Sequence, residues 1–86
     1  IVNIVASASL GGLIDLEKSA YSLGRTMYEP EQFPGLIYRM DEPKVVILLF
    51  ASGKLVCTGA KKEGDVHEAV SKLHKKLEEE ELIYYE

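Results

Sequence analysis

The chain has 86 residues, which makes one domain with a modest core. Apolar residues at 47% and charged residues at 28% are ordinary globular values. The longest apolar run, residues 45–51, is far shorter than the ~20 residues a helical membrane span needs. The net charge of −4 argues against a nucleic-acid ligand only until its distribution is read. Residues 1–62 hold seven Lys/Arg and six Asp/Glu, whereas residues 63–86 hold three and eight, so the acidity sits in the C-terminal part. Within 36–62, Arg39, Lys44, Lys54, Lys61 and Lys62 outnumber Asp41 and Glu42.

Residues 1–10 read as a strand, with Val2, Ile4 and Ala6 on one side and Asn3, Val5 and Ser7 on the other. Ile1–Ala8 superficially resembles the end of a signal peptide, but it lacks a basic start and Asn3 interrupts its apolar run. Opening without Met, directly in a strand pattern, suggests a fragment or a processed chain. Gly11-Gly12 predicts a turn. Asp15 is a good N-cap for a short helix over 16–23, with Leu16, Ala20 and Leu23 on its apolar face and Gly24 at its stop.

Residues 27–35, MYEPEQFPG, hold two prolines and a Pro-Gly turn signal, with a strand possible within 26–29. LIYRM, 36–40, is a strand. Asp41-Glu42-Pro43 is a turn, and 44–51 with 54–59 form a hairpin around Ser52-Gly53. Residues 63–80 are a longer helix with Val66, Ala69, Val70, Leu73 and Leu77 as its stripe. Residues 82–85 are a last short strand or an ordered tail. Strands in succession pair antiparallel through short turns. The expected fold is therefore α+β: one antiparallel sheet with two helices on one face.

The strand at 44–51 does not alternate. Side-chain parity sends Leu36, Tyr38, Met40, Val45, Ile47, Leu49, Leu55 and Cys57 beneath the helices. The other face would carry Asn3, Val5, Ile37, Arg39, Val46, Leu48, Phe50, Lys54, Val56 and Thr58, and no part of the sequence remains to cover it. An exposed patch of that kind marks an interaction site. Parity leaves two occupants open. One is a second copy of the chain. The other is the minor groove of A·T-rich DNA, whose floor offers acceptors, whose walls are sugar C–H and whose rims are phosphate.

Asn3-Ile4-Val5-Ala6-Ser7, YEPEQFPGLIYRM at 28–40, LFASGK at 49–54 and Thr58-Gly59-Ala60-Lys61 together resemble the TATA-box-binding protein family. The resemblance covers nearly the whole chain, is archaeal in type, and is strongest to the second of that family's two repeats. It implies that residues 1–86 are one repeat, half of a saddle with a curved antiparallel sheet. Minor-groove binding, bending and wedge insertion are known properties of that family and are carried over by resemblance. On that basis Phe33 and Phe50 match the inserting pair, and Asn3 and Thr58 the central hydrogen-bonding pair. Val5, Ile37, Val46, Leu48 and Val56 match the apolar floor, and Arg39, Ser52 and Lys54 the phosphate contacts. Glu29, Glu31 and Gln32 match the loop that meets transcription factor B. The implied protein is a general transcription factor acting in the RNA polymerase pre-initiation complex, with a second repeat or a homodimer partner beside it. It would be cytoplasmic and nucleoid-associated in an archaeon, or nuclear in a eukaryote. A related half-saddle domain attached to a nucleic-acid enzyme is a third reading, disfavoured by the match at the Phe pair, Asn3 and Thr58.

No catalytic constellation is legible, and no cofactor or metal is expected. His67 and His74 are seven apart without a zinc pattern. Gly11-Gly12 lacks the Lys-Ser/Thr of a phosphate loop. The lone Cys57, between Val56 and Thr58, permits no internal disulfide, favours an intracellular origin and is expected to be a buried, inert thiol.

Overall fold

The computed structural model describes residues 4–24, 26–42 and 44–85. Its elements in chain order are β1 (Ile4–Ser9), β2 (Leu13–Ile14), α1 (Leu16–Leu23), β3 (Thr26–Met27), β4 (Leu36–Met40), β5 (Val45–Leu49), β6 (Lys54–Ala60), α2 (Glu63–Glu79) and β7 (Ile83–Tyr84). Five strands form one sheet in the order β1-β6-β5-β4-β3. Every pairing in it is antiparallel. The α+β architecture expected from the sequence is the one observed.

Local chemistry sets the helix ends. The Asp15 carboxylate accepts the backbone N–H of Lys18 at 3.0 Å, satisfying a donor that the first turn leaves unpaired. The buried Ser19 hydroxyl donates to the Asp15 carbonyl at 2.6 Å, which explains how a polar side chain sits at zero exposure. Glu63 and Asp65 place negative charge in the first turn of α2, and Lys76 places positive charge in its last. The helix closes with the Leu82 N–H donating to the Leu77 carbonyl at 2.8 Å, and Glu81 adopts a left-handed φ of 56°.

α2 packs over β6, and α1 over β3 and β4. Beneath them lie Leu36, Ile47, Leu49, Leu55, Cys57, Leu73, Leu77 and Leu82, all at 0–1% exposure. Burial, and secondarily the Asp65 carboxylate, pushes the Cys57 thiol above its ordinary pKa. Cys57 is thus a neutral core side chain.

Two features depart from the expected pattern. β6 carries a bulge: Ile4 pairs with Ala60 and Ala6 with Cys57, so three steps of β6 oppose two of β1. Gly59, at φ 84°, sits within it. The extra residue resets the parity, which is why Ala60 turns into the core although it follows Thr58 by two. The second feature is a two-stranded ribbon of β2 and β7, with Leu13 opposite Tyr84 and Ile14 opposite Ile83. It ties the 82–85 segment to the entrance of α1, where the Asp15 N–H donates to the Leu82 carbonyl at 3.0 Å.

Among the described residues, no helix is long and apolar enough to cross a membrane. Nor does any group of three or more His, Cys, Asp or Glu gather with metal-binding geometry among them.

Candidate nucleic-acid interface

The sheet face turned away from the helices is built from two cross-strand rows. Ile37 pairs with Leu48, Leu48 with Val56, and Val56 with Ser7, giving a row across four strands. Arg39 pairs with Val46 and Val46 with Thr58, giving the row beside it. Ile37, Val46, Leu48, Val56 and Thr58 are all partly exposed, and Val5 is 64% exposed at the β1 edge. No described element covers this face. Arg39 and Lys54 stand exposed on it or at its rim. The Thr58 hydroxyl donates to the Val46 carbonyl at 3.5 Å, a long contact that leaves it available to another acceptor.

At one end the face carries two aromatic rings. The Phe50 N–H donates to the Lys54 carbonyl and the Gly53 N–H to the Phe50 carbonyl, both at 2.9 Å, closing the hairpin loop that carries Phe50 and Ser52. Phe33 arrives from the loop before β4. There the N–H groups of Gln32 and Phe33 both donate to the Glu29 carbonyl at 2.9 Å, folding 29–33 into a tight turn. The rings meet edge to face, with centroids 5.7 Å apart and planes at 63°. Residues 17 apart in sequence thus form one aromatic pair.

Of the residues singled out from sequence, the structure brings Val5, Ile37, Val46, Leu48, Val56 and Thr58 onto one face. It sets Phe33, Phe50, Ser52 and Lys54 together at its end and Arg39 at its flank. Glu29, Glu31 and Gln32 lie exposed on the 29–33 turn. Asn3 falls outside the described residues. Sequence reading passed over Ser7 and Ser9 as site residues. With Ala8 they line, beside Phe50, Ser52, Lys54, Leu55 and Val56, a shallow cleft of about 630 Å³. The signal was present in the alternation of β1, where Val5, Ser7 and Ser9 face outward together.

Away from this face, Lys72 Nζ donates to the Glu42 carbonyl at 2.6 Å and lies 3.6 Å from Glu68. That binds α2 to the turn after β4. His74 Nε2 and the Tyr85 hydroxyl are 2.6 Å apart, and the hydroxyl donates to Glu78 at 2.9 Å. His74 is therefore part of a surface network between α2 and the chain end.

The fold and this face define an open-sheeted α+β protein whose uncovered surface is apolar at its centre and cationic at its edges. The chain belongs to the family described as transcription factor TFIID, or TATA-binding protein, whose sequence profile matches residues 1–80. It is 60% identical over 83 residues to the TATA-box-binding protein of Sulfolobus acidocaldarius, covering 96% of this chain and 42% of that one. It is 64% identical over 77 residues to the TATA-box-binding protein of Pyrodictium occultum, covering 90% of this chain and 39% of that one. The solved structure of Methanococcus jannaschii TBP superposes with a TM-score of 0.87 at 51% identity, over 90% of this chain and 46% of that chain. The chain therefore spans less than half the length of these relatives and corresponds to a single repeat of the family fold.

Proposed function

We propose that this chain binds the minor groove of TATA-type, A·T-rich DNA through its open sheet face and acts in transcription initiation without catalysing a reaction. The observation that carries this reading is the uncovered face of β1, β6, β5 and β4, apolar in its centre, in a chain of this family. In this reading Val5, Ile37, Val46, Leu48 and Val56 lie on the sugar walls and base floor. Thr58, together with Asn3, donates to adenine N3 and thymine O2, where a guanine amino group would instead obstruct. Arg39, Ser52 and Lys54 meet phosphates, with Ser7 and Ser9 beside them.

The Phe33–Phe50 pair serves as the wedge. Burying one aromatic side chain of ~150–250 Å² at ~25 cal/mol per Å² contributes at most about 4–6 kcal/mol. Unstacking one base step costs a few kcal/mol, so two rings at a flexible pyrimidine–purine step offset it. Glu29, Glu31 and Gln32 offer carboxylates and an amide to a basic protein such as transcription factor B, and through it to the polymerase pre-initiation complex.

β1 lies at one end of the strand order, with an edge that no described strand pairs. A second repeat, or a second copy of this chain, pairs there and extends the sheet. Burial of the open face against another copy is the competing reading, favoured by the same exposed apolar rows.

A gel-shift comparison of A·T-rich and G·C-rich duplexes, with the chain and with Phe33→Ala/Phe50→Ala, tests the proposal. Selective binding of the A·T-rich duplex, reduced in the double variant, is the expected result. Equal affinity for both duplexes refutes the minor-groove reading. Self-association that Leu48→Ala/Val56→Ala abolishes, without any DNA binding, favours the competing one.

A further inference from the structure

The two rings rest on a residue that has no side chain. Gly35 is buried between Pro34 and Leu36, at the point where the Phe33 loop enters β4. It is not among the glycines with positive φ, as Gly24, Gly53 and Gly59 are. Backbone φ therefore gives no reason for a glycine at this position. The reason is steric. A β-carbon on residue 35 would stand 2.8 Å from Phe33 Cε2, 3.0 Å from Phe50 Cε1 and 3.1 Å from the Leu49 carbonyl oxygen.

Two of these three obstacles are the outer edges of the aromatic pair. Both rings are partly exposed side chains, which shift at lower cost than backbone does. The Leu49 carbonyl, part of the β5 backbone, must also give by a few tenths of an ångström. Gly53 is the contrasting case. It has φ 91°, and its β-carbon would run into the backbone carbonyl of Gly12, which cannot turn aside. Glycine at 53 keeps two loops together, whereas glycine at 35 keeps two rings in place.

We propose that Gly35 is a positioning residue: the flat seat that holds Phe33 and Phe50 edge to face, and through them sets the wedge that enters the DNA. This rests on the wedge reading of the pair given above. The two nearest obstacles to alanine at 35 are side-chain rings and only the third is backbone, so the rings take the larger displacement. The substitution moves them out of their edge-to-face pose.

The test compares the wild-type chain, Gly35→Ala and Phe33→Ala/Phe50→Ala. The readouts are thermal unfolding, NMR contacts between the Phe33 and Phe50 rings, and end-to-end fluorescence transfer on two A·T-rich duplexes. One duplex is intact. The other carries a mismatch at the wedge step, so its stacking is already broken. For Gly35→Ala the expected result is a midpoint within a few degrees of wild type, with altered ring contacts. Affinity and bending on the intact duplex fall about tenfold or more and recover to within about threefold on the mismatched one, since unstacking no longer has to be driven. Unchanged ring contacts in Gly35→Ala overturn the proposal. So does an equal loss on both duplexes with a lowered midpoint, which marks a merely structural glycine. Normal bending by Phe33→Ala/Phe50→Ala refutes the wedge reading instead, and the ring contacts of Gly35→Ala then decide the seat by themselves.

Discussion

Val45, Ile47 and Leu49 leave one side of β5 and are sealed at 3%, 0% and 0% exposure. Val46 and Leu48 leave the other side and stay partly exposed. The two faces of this strand are almost interchangeable in composition. What separates them is coverage, because α1 and α2 are the only described helices and both lie on the same side. The apolar surface under the helices is sealed from water, whereas the apolar surface opposite stays partly open to it. Composition alone does not tell a core from an interface; the count of elements available to cover each face does.

Substitutions in adjacent positions of β5 sharpen that contrast. Ile47→Ala should remove about 2–5 kcal/mol, through lost burial and a residual cavity. For a small domain this is a large part of a total of about 5–15 kcal/mol, and it is read as a drop in the urea midpoint. Leu48→Ala, one residue on, should cost about 1 kcal/mol or less in the same unfolding experiment. It should nevertheless weaken binding to an A·T-rich duplex by about tenfold, because its contact is made only in the complex. Should Leu48→Ala destabilise as much as Ile47→Ala, the two faces are not different in kind.

Charge gives a subtler division. Arg39→Ala and Lys54→Ala should each reduce the slope of log affinity against log salt by about one, with unfolding nearly unchanged. Asp15→Ala, on the helix side, should cost about 1 kcal/mol of stability through the lost cap and leave the salt slope as it was. Cys57 tests the seal itself. With its thiol buried and its pKa pushed upward, it should resist a thiol reagent at neutral pH in the folded chain and react fully once unfolded. Rapid labelling of the folded chain would mean that the core face opens.

Much of this is legible in the sequence. Parity along 36–40, 45–49 and 54–58 sorts core from open face because each stretch keeps strict two-residue alternation of direction, even where polarity does not alternate. Asp15 and Gly24 mark the ends of α1 by their own chemistry. Other features left no such trace. Strands of two residues, β2 and β7, are too short to show a period, and their pairing joins segments about 70 residues apart. The bulge at Gly59 reverses direction within β6, so Ala60 was beyond the reach of a parity argument. Phe33 and Phe50 were linked by resemblance alone. Their contact depends on a turn at 29–33 and a hairpin loop at 50–53 meeting over Gly35, which no local pattern encodes. Ser19 shares the buried face of α1 with Leu16 and Leu23, and its hydroxyl satisfies itself there by donating to the Asp15 carbonyl.

Methyl-resolved NMR of the chain during titration with an A·T-rich duplex addresses the central claim most directly. Shifts and broadening should concentrate on the methyls of Val5, Ile37, Val46, Leu48 and Val56, while Ile47, Leu49, Leu55 and Leu73 stay nearly still. Perturbation centred on α2 or on the β2–β7 ribbon, with the five open-face methyls unmoved, would contradict the account.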